Sequence, residues 1–448
     1  MIARKIVGWI APLFLAACLL LGGSVQWPWA TAALRLAAVA IIVVTLPGER
    51  EASFRQPMRL ALACGAIALV QLVPLPGGLW ASLPGHGFYA DHYALMGMAV
   101  PALPLSLDPD ATVAAMLSLL VPIAVFTTMS LNDGPRPVRA VAAILAVALL
   151  GAVYGIVQWR SGSQQAYLYP ISDWSTAPGF FANPNHMGIL LIAAIPLATA
   201  LASDRWRAHR RRSRRLPPLV AIAAVLLVAI MVIPLEQSFA ALLLLPPVVI
   251  ASALIPEWKN PRFRKVGLGA MAVLLLLGAT AGVVLIGRDS PAGETSISIR
   301  SDIWQRTIRA AADFAPLGSG FGSFERTFPR YEDPAKVDLT FVNHAHNDYL
   351  EAAMEGGIPT LVLVALFLLW WGRQVRRAWA AGAGSPFARG ASIAGTAILL
   401  HSIVDYPLRT PAIAAVFAAC AAMVVAPLKI TGATNEGDLR STRHRVIR

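Results

Sequence analysis

Residues 138–157 read VRAVAAILAVALLGAVYGIV, and Arg139 is the only charged side chain in this run. A helix of about 20 residues crosses the hydrocarbon core of a bilayer, which is about 30 Å thick. Apolar runs of similar length recur along the whole chain and predict twelve spans. These spans are 6–24, 30–47, 59–75, 112–130, 138–157, 186–203, 217–234, 239–256, 267–287, 357–372, 389–405 and 411–428. The sequence therefore predicts an all-α membrane protein with about twelve transmembrane helices.

The composition of the chain agrees with a membrane protein. Of the 448 residues, 57% are hydrophobic and only 14% are charged, whereas a soluble domain has about 25% charged residues. This composition excludes a water-soluble enzyme. The cysteines Cys18, Cys64 and Cys420 all lie inside apolar runs, so they predict neither a disulfide framework nor a metal site.

The distribution of basic residues predicts the topology. If the N-terminus is cytoplasmic, 27 of the 37 Lys and Arg residues lie on the cytoplasmic side. The loops of membrane proteins show this excess on that side. We therefore predict that both termini are cytoplasmic. The same excess explains the formal net charge of +13 without a nucleic-acid partner.

Three predicted outer segments, 76–111, 158–185 and 288–356, are long enough to carry a function. The last is the longest and the most polar of the three. The predicted division of the chain is transmembrane helices one to nine (1–287), a large periplasmic loop (288–356), helices ten to twelve (357–428) and a basic cytoplasmic tail (429–448).

Within the large loop, apolar residues recur at helical spacing and arginines occupy other positions of the same turns. The apolar set is Ile299, Ile303, Trp304, Ile308, Ala311 and Ala312, and the basic set is Arg300, Arg306 and Arg309. This pattern predicts an amphipathic helix on the outer membrane surface. The G-x-G-x-G of 318–322 follows a helix rather than a strand, so it predicts a tight turn rather than a nucleotide-binding loop.

Titratable residues are most concentrated in the nine residues NHAHNDYLE that begin at Asn343. Asn343 is expected to cap a helix that continues through residue 355. That helix would place His346, Asn347 and Glu351 near the outer membrane surface.

Three interpretations of this segment remain open. Histidine is the side chain best suited to proton transfer near neutral pH, so His346 is a candidate general base. The same residue could equally anchor a helix end at the membrane interface. A metal site formed by His344, His346 and Asp348 is the least favoured, because alternate positions on a helix point apart.

Two further groups of polar residues lie near the outer ends of predicted spans. His401 and Asp405 are spaced i and i+4, so they could hydrogen-bond on one helical face or brace the helix end. Asn183, Asn185 and His186 precede the sixth span. They could line the same outer cavity, or they could satisfy the backbone groups where the helix begins.

At these residues the sequence resembles the O-antigen ligase and polymerase family of bacterial membrane glycosyltransferases. The resemblance is carried by 316–324 (PLGSGFGSF) and 344–350 (HAHNDYL). Three other segments strengthen it, namely 105–109 (LSLDP), 179–186 (GFFANPNH) and 401–407 (HSIVDYP). No single motif is specific alone, but their order, spacing and twelve-span setting are specific together.

The resemblance implies a metal-independent transferase with no cofactor, located in the bacterial inner membrane. Such an enzyme takes a glycan from a polyprenyl-diphosphate carrier at the periplasmic face and passes it to an acceptor hydroxyl. The acceptor is the lipid A–core oligosaccharide in ligases, another carrier-linked unit in polymerases, and a protein side chain in a third branch.

The resemblance also assigns roles to residues. The family's loop histidine corresponds to His346, which is expected to activate the acceptor hydroxyl. Its loop arginine corresponds best to Arg300, which would bind the diphosphate bidentately. Arg306 and Arg309 are further diphosphate-binding candidates. The supporting residues are expected to be His344, Asn347, Glu351, Asn185, His401 and Asp405.

The sequence departs from the family pattern at two places. Ligases usually carry another arginine where this chain reads EQSFA at 236–240, and Arg306, Arg309 or Arg326 could supply the missing charge. A glycine-x-x-glycine that follows the histidine motif in many members reads GIPT at 357–360. Both departures weaken the ligase interpretation relative to the polymerase interpretation.

A transporter or flippase is the alternative from a different class. Twelve spans suit such a protein, and Pro122 and Pro196 could break helices. However, Arg35 is the only charged residue near the middle of a predicted span, and the polar residues gather in one outer loop. Transport through the midplane favours the opposite distribution.

Overall fold

The computed structural model describes residues 2–45, 54–131, 136–208, 238–256, 291–335, 341–380 and 385–426. The predicted spans 217–234 and 267–287 and the predicted tail 429–448 lie outside these residues. The described part is mostly helical and contains one two-stranded sheet.

The helices follow one another with short connections. The first eight are α1 (Ile2–Leu21), α2 (Pro28–Thr45), α3 (Arg55–Gln71), α4 (Gly77–Ser82), α5 (Gly87–Leu95), α6 (Pro109–Ser118), α7 (Leu120–Met129) and α8 (Arg136–Ser161). The next seven described helices are α9 (Pro184–Ala208), α10 (Phe239–Ala253), α11 (Pro291–Asp313), α12 (Phe324–Thr327), α13 (Asp348–Trp379), α14 (Pro386–His401) and α15 (Pro411–Val425). Short 3₁₀ helices lie at Gln164–Ala166, Phe328–Tyr331 and Pro407–Arg409. Strand β1 (Pro74–Leu75) pairs antiparallel with β2 (Leu103–Pro104).

Five helical segments in the described part are long and apolar enough to cross a membrane. They are Pro28–Thr45, Pro109–Met129, Pro137–Ser161, Pro184–Trp206 and Asp348–Trp379. Gly8–Leu21, Phe239–Ala253 and Pro411–Val425 are shorter apolar helices. These segments overlap eight of the predicted spans, and α3 and α14 overlap two more. The prediction of a mostly helical membrane protein is therefore confirmed, whereas the count of twelve spans stays a prediction.

The segments predicted to be outside meet at one end of the helices. The residues that follow α1 bond to the starts of two later helices. Gly22 O accepts from Ala412 N (3.1 Å), and Gly23 O accepts from Ala182 N (3.4 Å). The main apolar core lies beneath this end and is formed mostly by α1, α7, α8, α9, α14 and α15.

The loop between α3 and α6 lies at the same end and bonds to the large loop. Ser106 N donates to Gln71 O at the end of α3, and Leu107 N donates to Ser319 O, each at 2.9 Å. The described parts of the two predicted outer segments 76–111 and 288–356 are therefore hydrogen-bonded to each other.

Helix α13 is interrupted at Gly357, and the glycine-rich turn at 318–322 hydrogen-bonds to the helix next to this interruption. Gly357 has φ +58° inside the helix, a conformation that costs glycine little. The backbone carbonyls exposed by the break are used by the turn, because Ser319 N donates to Met354 O (3.0 Å) and Gly320 N donates to Glu355 O (2.9 Å). The predicted tight turn is thus present, and it fixes the large loop onto α13.

The amphipathic face of α11 differs from the prediction. Ile303, Thr307 and Ala310 are buried against the protein, whereas Ile299 and Ile308 are 52% and 53% exposed. The predicted apolar face was therefore only partly right, because the stripe that packs onto α12 and α13 includes a threonine and omits two isoleucines. Helix α11 lies on the protein, where it carries candidate site residues.

Candidate active site

The segment with the candidate histidines enters α13 at Asn347. The Asn347 Oδ1 accepts hydrogen bonds from Tyr349 N and Leu350 N, both at 3.0 Å, which is the pairing of a helix N-cap. The prediction that Asn343 caps this helix is therefore wrong. The helix begins four residues later than expected, and His346 stands just before it.

His346 is held by one backbone contact and one side-chain contact, which come from two different parts of the chain. Its φ is +47°, the one positive value at a non-glycine residue in the described part. Such a backbone persists where surrounding contacts hold it. Trp304 Nε1 donates to His346 O (3.2 Å). The imidazole is 24% exposed, and its Nδ1 lies 3.0 Å from Asp405 Oδ1.

Asp405 is fully buried and is itself oriented by an asparagine. Asn183 Nδ2 donates to Asp405 Oδ2 (3.2 Å). Asn183 Oδ1 accepts from Asn185 N (2.9 Å), so the orientation of the amide is fixed by the backbone where α9 begins. Both sequence interpretations of Asn183 are therefore satisfied at once, since it caps a helix and lines the site.

Of the two interpretations of His401 and Asp405, the side-chain hydrogen bond is not formed. Helix α14 ends at His401, so Asp405 does not continue the same helical face. The two residues are joined through the backbone instead, with Asp405 N donating to His401 O (3.0 Å). Among the described residues, neither ring nitrogen of His401 or of His186 has a hydrogen-bond partner, although both rings are buried.

Of the three arginines predicted to bind diphosphate, Arg300 lies with the histidine. It is one turn before Trp304 on α11, and it acts electrostatically on both Asp405 and His401. Trp304 Nε1 contacts the His346 backbone, so this turn of α11 adjoins the segment that carries the imidazole.

The other two predicted arginines are not brought to His346. Arg306 Nε donates to Asp302 Oδ2 (2.8 Å) and its Nη1 donates to Tyr331 O (2.6 Å). Arg309 is exposed, and no contact within the described ranges joins it to the histidine. Helical spacing explains this outcome, since residues six and nine positions after Arg300 point to other sides of α11.

Sequence reasoning missed Arg409, which is paired with three carboxylates of α13. Its guanidinium lies 3.1 Å from Glu351 Oε1, 3.1 Å from Glu355 Oε2 and 3.5 Å from Asp348 Oδ1. Burial opposes the charge on this side chain, but the carboxylates outweigh it and raise the Arg409 pKa. Its position four residues after Asp405, in a loop with few other basic residues, was the available signal.

His344 belongs to the same ionic group. Its Nδ1 lies 2.8 Å from Glu351 Oε1, and Ala345 N donates to Glu351 Oε2 (2.8 Å). Burial lowers the affinity of this ring for a proton, but the charge and hydrogen bond of Glu351 outweigh burial and raise the His344 pKa. Glu351 is fully buried, so it supports the segment that carries His346.

Tyr406 packs between the histidines. Its ring centroid is 4.1 Å from that of His344, 5.1 Å from that of His346 and 5.2 Å from that of His186. The two loop histidines therefore face different carboxylates on either side of one aromatic ring. No group of three or more His, Cys, Asp or Glu arranged to hold a metal ion occurs among the described residues.

The geometry defines a base beside a cation. An imidazole that donates Nδ1–H to a buried carboxylate presents the lone pair of Nε2 to a substrate. The carboxylate orients the ring and balances the charge that it acquires on taking a proton. Arg300 adds a positive charge to the electrostatic surroundings of Asp405.

The fold and site together define a multi-pass helical membrane protein with a candidate base–cation site at one end of its helices. A family model described as O-antigen ligase matches residues 222–365, which supports placing the chain in an O-antigen ligase-like family. The matched part contains Arg300, the glycine-rich turn and His346, whereas Asp405 and Arg409 lie beyond it. The resemblance derived from the sequence is thus confirmed. No curated protein matches the chain.

Proposed function

We propose that this protein transfers a glycan from a polyprenyl-diphosphate carrier to an acceptor hydroxyl at the periplasmic face of the bacterial inner membrane. The observation that carries the proposal is the His346–Asp405 pair, with Arg300 among the charges that act on Asp405. The O-antigen ligase match over residues 222–365 supports the same reaction class. The proposal includes twelve spans, cytoplasmic termini and a periplasmic loop at 288–356.

The proposed reaction is a displacement at the anomeric carbon of the donor. His346 Nε2 takes the proton of the acceptor hydroxyl while its oxygen forms the new glycosidic bond. The bond between the anomeric carbon and the diphosphate oxygen breaks, and the diphosphate leaves with the bonding electron pair. Arg300 stabilises the charge on that leaving group, and Asp405 balances the imidazolium. Neither the proton transfer to His346 nor the departure of the diphosphate requires a metal ion.

The proposal is tested with purified protein in detergent, a lipid-diphosphate-linked glycan, candidate acceptors and a chelator. We expect a new glycosidic bond without nucleotide or ion gradient, and we expect His346→Ala to lose it. His92→Ala is the matched control, because His92 is exposed in the loop between α3 and α6 at the same end of the helices. Full activity of His346→Ala would remove this residue from the mechanism.

The choice of acceptor distinguishes the family branches. Transfer to lipid A–core indicates a ligase, extension of a carrier-linked glycan indicates a polymerase, and modification of a protein indicates an oligosaccharyltransferase. Movement of the lipid-linked glycan across sealed vesicles without a new bond would indicate a flippase and overturn the proposal. Loss of transfer with chelator, restored by a divalent cation, would overturn the metal-free mechanism.

The proposed orientation is tested by cysteine labelling. Cysteines that replace Met98 and Pro334, which are exposed in the two outer loops, should both react with a membrane-impermeant reagent from the periplasm. A cysteine in place of Trp206, at the opposite end of α9, should react only from the cytoplasm. Reaction of either loop position from the cytoplasm alone would reverse the proposed orientation.

A further inference from the structure

Arg35 is the only charged residue of α2, and the proposed mechanism does not use it. It lies seven residues after Pro28, roughly 10 Å along the helix at about 1.5 Å per residue. Ionisable residues at membrane depth are costly, and they usually have a partner or a function. Arg35 is therefore expected to have a partner or a function.

The described residues provide hydrogen-bond acceptors for only some of the N–H groups of the Arg35 guanidinium. Arg35 Nη2 donates to Ala114 O of α6 (2.7 Å). Its Nε is buried and bonds to none of the described residues, and no carboxylate forms an ion pair with it in that part of the chain. A guanidinium has five N–H donors and a full positive charge, so a single carbonyl leaves the charge without an anion.

Apolar side chains around Arg35 are exposed at the protein surface. Helix α2 packs extensively along α7 but hardly touches α6, so the long Arg35 side chain crosses a sparsely packed boundary between α2 and α6, which we call the opening. The apolar residues on its two sides face outward, with Leu36 72%, Val113 38% and Leu117 37% exposed. Trp29, one and a half turns before Arg35, is 88% exposed and fits the interfacial level of a membrane.

A second polar group without a partner lies near Arg35. Thr31 is one turn before Arg35 on the same face of α2, and the residue is only 7% exposed. Its hydroxyl has no hydrogen-bond partner within the described ranges. A hydroxyl and a guanidinium one turn apart form a suitable pair of donors for a phosphate group.

We propose that Arg35 and Thr31 bind the phosphate of a lipid that enters between α2 and α6 from the outer leaflet. The apolar sides of the opening accept the lipid chain, and the guanidinium supplies the charge that a phosphate requires. Two lipids have this chemistry, namely a polyprenyl phosphate or diphosphate and an anionic phospholipid. The first source rests on the proposed function, whereas the second does not.

The opening is connected to the candidate active site through α6. Thr112, two residues before the carbonyl that holds Arg35, donates to Phe321 O of the glycine-rich turn (2.7 Å). That turn is bonded to α13 just after the ionic group of Glu351 and Arg409. A carrier lipid held at Arg35 would therefore be linked to the candidate active site through α6 and the glycine-rich turn.

Equilibrium binding to protein in maltoside detergent tests the proposal. The ligands are farnesyl phosphate, phosphatidylglycerol and inorganic phosphate, and all proteins carry Arg300→Ala to remove the other proposed phosphate-binding residue. We expect Arg35→Gln to weaken the binding of at least one lipid phosphate by about tenfold or more. Arg35→Lys should retain part of the affinity. Arg160→Gln is the matched control, because Arg160 is an exposed arginine at the same end of the helices.

Each result of the binding experiment either supports or overturns the proposal. Equal affinity of the Arg35→Gln and parent proteins for both lipids would overturn it, and so would inorganic phosphate binding as tightly as the lipids. A preference for farnesyl phosphate would identify the carrier, and a preference for phosphatidylglycerol would identify a structural lipid. If Arg35→Gln does not fold, Leu117→Trp narrows the opening with Arg35 intact and should weaken lipid binding similarly. Because binding is measured without turnover, an inactive His346 mechanism would leave this test unaffected.

Discussion

Replacing Asp405 with asparagine should convert His346 from a proton acceptor into a proton donor. In the wild-type protein, Asp405 accepts from His346 Nδ1 and from Asn183 Nδ2. Asn183 cannot reverse its amide, because its Oδ1 accepts from Asn185 N. The oxygen of the introduced amide must therefore face Asn183, and its NH₂ must face His346 Nδ1. The imidazole then carries its proton on Nε2 and cannot take one from the acceptor.

The expected loss of activity follows from this exchange. A hydrogen bond to a charged group contributes about 1.5–3 kcal/mol, which corresponds to about 10- to 150-fold in rate. The wrong tautomer adds to this loss. The equivalent change in a Ser-His-Asp triad lowers the rate by about 10⁴-fold. We therefore expect Asp405→Asn to lower the rate of transfer by between about 10² and 10⁴.

The assay is the initial rate of glycan transfer at saturating donor, with protein level and thermal stability measured in parallel. A second substitution tests the tautomer directly. In the double variant Asp405→Asn with Asn183→Asp, the new carboxylate at position 183 accepts both from Asn185 N and from the NH₂ of the amide introduced at position 405. The oxygen of that amide then faces His346 Nδ1, so the productive tautomer returns and activity should recover by at least about tenfold over the single variant.

Two results would refute this reasoning. Activity of Asp405→Asn within about threefold of the wild type would show that the carboxylate does not orient the base. A double variant no more active than the single variant, although equally stable, would show that Asp405 does not act through the tautomer of His346.

Three further predictions follow from other contacts of the site. Arg300→Ala should lose most of the transfer activity and Arg300→Lys should recover only part of it, because an ammonium cannot form a bidentate pair with diphosphate. Because the His344 pKa is raised in the folded state, its stabilisation is complete below the unfolded value of about 6.5 and is lost as pH rises through the higher folded value. The melting temperature should therefore fall as pH rises above about 6.5, and Glu351→Gln should flatten that slope. Gly357→Ala should destabilise the protein by about 1–3 kcal/mol, since Gly357 has φ +58° and an added Cβ would meet Pro316 O, whereas Gly372→Ala has open space and serves as control.

These three predictions fail in distinguishable ways. Equal rates for the lysine variant and the wild type at position 300 would argue against a bidentate contact. An unchanged pH slope in Glu351→Gln would show that this carboxylate does not control His344. Equal melting temperatures of the two glycine variants would show that the break in α13 needs no special backbone conformation.

The positions of the helices could be predicted because the length of an apolar run is a property of the local sequence. The runs at 30–47 and 186–203, for example, correspond to α2 and α9 with shifts of only a few residues at their ends. The face of α11 was less predictable, since the burial of Thr307 and the exposure of Ile308 depend on where α12 and α13 pack. Composition and periodicity describe one helix at a time and do not specify its neighbours.

Residues of the candidate site could be predicted from the sequence only where they belong to a recognisable motif. His346 and Arg300 could be identified from the resemblance, but the partner of Asp405 could not. Helical spacing favoured His401, whereas the true partner is 59 residues away in sequence. Arg409 was missed for the same reason, because its carboxylate partners belong to α13 and only the fold brings them together.

The site residues therefore depend on the ends of helices rather than on their regular parts. Asn183 precedes α9, His346 precedes α13 and Asp405 follows α14, so each side chain is oriented by a helix that it does not belong to. A positive φ at His346 and a break at Gly357 keep the chain irregular on both sides of the α13 start, and buried contacts hold both irregularities. A substitution that shifts one helix along its axis would consequently disturb the base–carboxylate distance without touching either residue. The ionic group of Glu351 and Arg409 contacts neither His346 nor Asp405. It joins α13 to the segment that follows α14. Because His346 precedes α13 and Asp405 follows α14, this ionic group helps to hold the 3.0 Å contact between His346 and Asp405.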